Sequence, residues 1–319
     1  MTSFAFIFPG QGSQSVGMLA GAHEAWPEIG STFAEASDAL GFDLWDMACN
    51  GPAETLSLTA NTQPLILSAS VALFRAWRAQ GGAMPSVAAG HSLGEFSALV
   101  AAESLNFADA VKLVRLRGQA MQQAVPVGEG AMAAIIGLED DVINTVCEQV
   151  SAANDGVVMA VNYNSPGQCV IAGHTAAVEA AIAALKEAGA KRALPLPVSA
   201  PFHTPLMSPV GDVLAEALAN MKVADPVVPV ISNVDAQAKS SGEEIAKLLI
   251  WQVSAPVQWT GCVATMTSMG CADFVECGPG KVLSGLVKRI NKASTCFSIE
   301  TPDALDSTLA SVCYPASVC

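Results

Sequence analysis

The chain's first apolar run, FAFIF at 4–8, ends in a Pro-Gly turn and predicts a buried strand. A second short run near Ser86–Ala89 leads into the turn GHSLGEF (90–96), and Leu93–Ala102 then reads as a helix. NFADAVKLVRLRGQAMQQ (106–123) has helical spacing, with Asn106 placed to cap it and Asp109 at the third position. From about residue 125 the pattern changes. AMAAIIG (131–137), VVMAVNY (157–163), QCVIAG (168–173) and AKRALPLPV (190–198) read as strands, and EDDVINTVCEQV (139–150) and TAAVEAAIAALKEAG (175–189) as helices. The order β-α-β-β-α-β is the ferredoxin-like pattern. It predicts a small subdomain over 126–198, inserted between 1–125 and 199–319 of a larger α/β domain. VVPVISN (227–233) and ADFVECGPG (272–280) then supply later strands of the larger sheet.

Composition narrows the setting. Hydrophobic residues make up 51% of the 319, yet no run of 18 or more escapes polar interruption, so no spanning helix is expected. MTSFAFIFPG lacks a basic leading region and reads as a first strand rather than a signal peptide. Nine cysteines without a C-x-x-C pair argue against a disulfide framework and suit a reducing cytoplasm. A formal charge of −14 disfavours nucleic acid and anionic membranes as partners. An acidic partner would need a local basic patch. KVLSGLVKRINK offers Lys281, Lys288, Arg289 and Lys292. On a helix, Lys281, Lys288 and Lys292 would share a face, as a docking surface or simply as a solvated one. Lys191 and Arg192 on the insert are the second choice.

Against that background one turn carries chemistry. Strand, G-x-S-x-G, helix is the context of a nucleophile elbow, although the bare motif also arises by chance in glycine-rich chains. Ser92 is the candidate nucleophile and needs a base. Of the four histidines, His91 adjoins the serine, His23 lies in a polar N-terminal stretch and His174 lies inside the insert. His203, in the loop VSAPFHTP where the insert rejoins the main domain, is left by elimination, with a surface histidine as the alternative.

Arg117 falls on the apolar face of its helix, among Ala110, Leu113, Val114 and Met121. It is either an internal ion-pair or snorkelling residue, or the fork for a substrate carboxylate. No carboxylate shares its stripe. PGQGSQ (9–14) fits neither G-x-G-x-x-G nor the P-loop. The amides of Gln11 and Leu93 could form an oxyanion hole, unless the first loop is a plain turn. GPGKV (278–282) reads as a structural strand–helix turn.

Taken together, FPGQGSQ (8–14), GHSLGEF (90–96), RLRGQAM (115–121), NSPGQ (164–168), SAPFHTPLM (199–207), PVQWT (256–260) and GPGKVLSGL (278–286) resemble the malonyl-CoA:acyl-carrier-protein transacylase family. They occur in that family's order and leave only the tail beyond about 303 uninformative. The resemblance implies a hydrolase-like parallel-sheet α/β domain with an inserted ferredoxin-like α+β subdomain. It implies that Ser92 is acylated, that His203 is its base, and that the Gln11 and Leu93 amides hold the oxyanion. It further implies that Arg117, with Met121 and Phe202, binds the malonyl group, and that the backbone carbonyl of Gln252 orients the histidine. Phe202 matches the form associated with malonyl rather than branched extender units, and Phe96 stands where many members carry tyrosine. The implied partners are malonyl-CoA and an acyl carrier protein, met as substrates, with no metal and no resident cofactor. A serine esterase or thioesterase and a non-catalytic docking module are the rival readings.

Overall fold

The computed structural model describes residues 3–153, 156–198 and 200–313. Ser199, where the second segment of the larger domain was expected to begin, and the last six residues lie outside the described residues.

The larger sheet contains β1 (Phe4–Phe8), β2 (Val87–Gly90), β7 (Val230–Ile231), β8 (Ala238–Lys239), β9 (Asp273–Glu276) and β10 (Thr295–Ser298). The smaller contains β3 (Gly130–Ile136), β4 (Val158–Ser165), β5 (Gln168–His174) and β6 (Arg192–Pro195). In space the larger sheet runs β10-β9-β1-β2-β7-β8, parallel except for the β7–β8 pair at its edge. β1 is central and alternates between two cores. Phe4, Phe6 and Phe8 join the core formed with helices Pro27–Leu40, Thr59–Ala79 and Phe107–Gln123, while Ala5 and Ile7 join the core that holds Trp259 and Leu283. A strand buried on both faces shows no polar alternation, which is why FAFIF is continuous.

The smaller sheet runs β4-β5-β3-β6 and is antiparallel throughout. Helices Asp140–Ala153 and Thr175–Glu187 close its own core. This is the ferredoxin-like order. The segment Pro256–Thr260 ties the two sheets together: Val257 N–H donates to Val161 O at 2.8 Å, and Tyr163 N–H donates to Val257 O at 3.0 Å. The strand expected over 227–233 shrinks to Val230–Ile231, since Pro229 has no N–H to give a ladder and Val227 is exposed. The last strand of the insert is likewise confined to Arg192–Pro195. The basic stretch is corrected too. Its helix covers only Val282–Ile290, so Lys281 is the N-cap and Lys292 lies past the C-terminus, and the single helical face expected for Lys281, Lys288 and Lys292 does not form.

Candidate active site

β2 runs into helix Leu93–Ala101 through a turn with Ser92 at its apex. Ser92 has φ +50°, a conformation that L-residues seldom hold without surrounding constraint. The two glycines permit the turn: a Cβ on Gly90 would lie 1.8 Å from the Gly94 carbonyl carbon, and one on Gly94 would lie 2.0 Å from Phe8 O. The Ser92 N–H donates to Asn233 Oδ1 at 2.6 Å, and Asn233 Nδ2 donates to Gly90 O at 2.7 Å. One asparagine therefore clamps both sides of the elbow.

His203 also has positive φ, +64°, and is buried. Its Nε2 lies 2.8 Å from Ser92 Oγ and its Nδ1 lies 2.9 Å from Gln252 O. A carbonyl only accepts, so Nδ1 carries the proton and Nε2 is free to accept the serine's. Burial, assisted by the nearby Arg117 charge, lowers the His203 pKa to about 3, so the ring is neutral at neutral pH. Among the described residues no acidic side chain takes a third place; the Gln252 carbonyl fills it. His91 lines the same cavity, but its Nε2 lies 2.8 Å from Asn164 Oδ1 and its ring packs against Trp259.

Arg117 is 1% exposed. Gly118 lets its helix approach the long helix Thr59–Ala79, since a Cβ there would lie 2.6 Å from Thr59 O. Arg117 Nη1 donates to Gln63 Oε1 at 3.0 Å, and Nη2 donates to Gln252 Oε1 at 2.9 Å and to Ser92 Oγ at 3.2 Å. Its Nε–H has no acceptor among the described residues. Among the described residues the guanidinium makes no direct ion pair, and its neighbours are neutral amides, the serine and the face of Phe96. Burial lowers its pKa to about 10, with the Glu95 charge opposing that shift, so it stays cationic.

These groups open onto a cavity of about 320 Å³. Gln11, Leu93, Met121 and Phe202 line it with Ser92, His203 and Arg117. Leu93 N–H is at the first position of its helix, where no intrahelical carbonyl is available. Gln11 N–H makes none of the backbone bonds found in turns and loops. Gln252 lies behind the cavity wall, fully buried.

Four residues at the site escaped the sequence reading. Gln63 and Glu95 hold Arg117 and its support, Asn233 clamps the elbow, and Asn162 lines the cavity with a buried Oδ1 that lacks a partner among the described residues. Glu95 stands inside GHSLGEF (90–96), and its place three residues after the serine is the local signal. Nothing local marked the other three.

A strained serine, shared between a neutral histidine and a buried cation, can take up an acyl group and favour one that is negatively charged. That is the apparatus of a serine acyl-group enzyme. The chain belongs to the acyl transferase domain family, whose model matches residues 5–301. It is 55% identical to the malonyl CoA-acyl carrier protein transacylase of Escherichia coli (strain K12), over 97% of this chain and 99% of that one. The transacylase of the same name from Bacillus subtilis (strain 168) is 44% identical, with 96% of each chain covered. Among solved structures, an acyl carrier protein S-malonyltransferase from Vibrio cholerae superposes with TM-score 0.94 at 52% identity, covering 96% of this chain and 100% of that one. A malonyl-transacylase in complex with its holo type II PKS acyl-carrier protein superposes with TM-score 0.95 at 49% identity, covering 97% and 100%.

Proposed function

We propose that this enzyme carries a malonyl group from malonyl-CoA to the phosphopantetheine thiol of an acyl carrier protein, through a malonyl ester on Ser92. The observation that carries the reading is the shared hydroxyl: Ser92 Oγ lies 2.8 Å from a neutral base and 3.2 Å from a buried guanidinium. The names of the full-length relatives agree with it.

His203 Nε2 takes the hydroxyl proton as Ser92 Oγ bonds to the thioester carbonyl carbon. The oxyanion receives N–H donors from Leu93 and Gln11, at a helix N-terminus that favours negative charge. The C–S bond breaks, and the departing CoA thiolate takes the proton from His203. In the second half the carrier's thiol gives its proton to His203 and attacks the acyl-serine, and Ser92 Oγ leaves with that proton. Arg117 grips the free malonyl carboxylate, for which its unpaired Nε–H offers a donor. Met121 and Phe202 bound the acyl chain. The Gln252 carbonyl keeps the His203 tautomer fixed in both halves.

The proposal includes the division into a catalytic domain (1–125 and 199–319) and a small subdomain (126–198), with the cavity between their sheets. It needs no metal or resident cofactor, because both thioesters arrive as substrates. It places the enzyme in the cytoplasm. Among the described residues every cysteine is free, and no helix is long and apolar enough to cross a membrane.

Docking of the anionic carrier falls to the exposed cations beside the mouth. Val282, Leu283 and Leu286 line the cavity, and Lys281, Lys288, Arg289 and Lys292 are exposed around the same helix. Changing Lys288, Arg289 and Lys292 together to Ala should raise the carrier KM several-fold at low salt and less at high salt. Ser92 acylation at saturating malonyl-CoA should stay unchanged. Transfer kinetics at two ionic strengths check this, and an unchanged low-salt KM moves the surface to Lys191 and Arg192.

A further inference from the structure

Beneath the elbow lies a carboxylate that none of the steps above uses. Glu95 sits on the first turn of helix Leu93–Ala101 and is 3% exposed. Its Oε2 accepts from Gln252 Nε2 at 2.8 Å and from Asn233 N–H at 3.0 Å. Among the described residues it has no ion-pair partner. A buried carboxylate held only by neutral donors is costly, so its place needs a reason.

Gln252 shows the reason. Its Nε2 donates to Glu95 Oε2 and also to Ser92 O, at 3.1 Å. With both amide protons spoken for, the amide oxygen can only face the other way, and there it accepts from Arg117 Nη2 at 2.9 Å. Turning the amide over would set its NH₂ against the guanidinium, a repulsive contact in either protonation state of Glu95, and its oxygen against Glu95, repulsive while that carboxyl is ionised.

We propose that Glu95 is a positioning residue for anionic-acyl selectivity: it fixes the orientation of the Gln252 amide, and through that amide it fixes the Arg117 guanidinium beside Ser92. The inference rests on the reading of Arg117 as the malonyl-binding cation. Glu95 itself touches no substrate. Its second acceptor bond, from Asn233, steadies the clamp on the elbow, so part of its effect falls on every acyl donor. The part that passes through Gln252 falls only on acyl groups that carry a carboxylate. The charges and titratable groups around it are Arg117, whose positive charge favours the ionised carboxylate, Asp235, whose negative charge opposes it, and the buried thiol of Cys262, which burial first and the Glu95 charge next hold protonated. Burial is the largest influence and raises its pKa to about 7.

Position of the acceptor oxygen and presence of charge are separable. Glu95→Gln keeps an oxygen where Oε2 lies and removes the charge. Glu95→Asp keeps the charge and withdraws the oxygen by one methylene. The experiment measures acylation of Ser92 by malonyl-CoA and by acetyl-CoA, using rapid quench and intact-mass detection, in the wild type and in both variants. Thermal melts confirm that each is folded. Glu95→Gln should keep the malonyl-to-acetyl ratio within about threefold of wild type. Glu95→Asp should lower that ratio by at least about tenfold, mostly through malonyl-CoA KM. In an Arg117→Ala background the Asp change should move the ratio by less than about threefold, because the group it positions is gone. If Asp leaves the ratio within about threefold of wild type, if Gln collapses it, or if both acyl rates fall by the same factor in Asp, the proposal is overturned. A wild type that forms no malonyl-serine refutes the underlying function instead, and that result is read first.

Discussion

His203→Ala should slow malonylation of Ser92 by roughly 10⁶-fold, because a serine and its histidine fail as one unit. The structure makes this residue hard to replace. Its Nε2 is the group 2.8 Å from the Ser92 hydroxyl oxygen, its tautomer is set by the Gln252 carbonyl, and burial keeps it unprotonated. His91→Ala should cost far less per folded molecule, since that ring bonds Asn164 and packs on Trp259. Stopped-flow acylation of the two variants ranks them. The reverse order would show that the base had been misassigned.

Arg117→Ala is the second large effect, and it should be selective. Breaking a buried charge pair costs about 3–5 kcal/mol. At about 1.4 kcal/mol per tenfold, malonyl acylation should fall on the order of 10²- to 10⁴-fold. Acetyl acylation should hold or improve, because an acetyl group offers no carboxylate to the guanidinium and the pocket loses a cation. Competition between malonyl-CoA and acetyl-CoA, followed by intact mass, gives the ratio directly. Equal losses for both donors would mean that Arg117 only supports the structure.

The sequence carried the parts of this site that local pattern encodes. The elbow was legible because its glycines are steric necessities: neither Gly90 nor Gly94 has room for a Cβ. Arg117 was legible because a cation on an apolar helix face breaks periodicity. The ferredoxin-like order of the insert followed from alternating strand and helix signals. Helix Thr59–Ala79 is not legible in the sequence, since it is buried almost all round and contains Pro64, so it shows no single apolar stripe. Gln63, which holds the guanidinium, was hidden with it. Glu95 was in plain view, but an acidic residue on a first helical turn looks like a partner of the helix dipole. Only the tertiary fold, which brings Gln252 from 157 positions away, turns it into a buried acceptor. The single face assigned to Lys281, Lys288 and Lys292 failed because the helix stops at Ile290, and spacing alone cannot show where a helix ends.

The reaction depends on a malonyl ester on Ser92 that passes to a carrier protein. The most direct measurement mixes the enzyme with malonyl-CoA, quenches, and determines intact mass and the modified peptide, with and without holo acyl carrier protein and with Ser92→Ala alongside. One malonyl adduct is expected, located on Ser92, absent from Ser92→Ala, and discharged to the carrier as malonyl thioester. An adduct that persists in Ser92→Ala, one that maps to a cysteine, or release of free malonate with no loaded carrier would rule out transfer through Ser92.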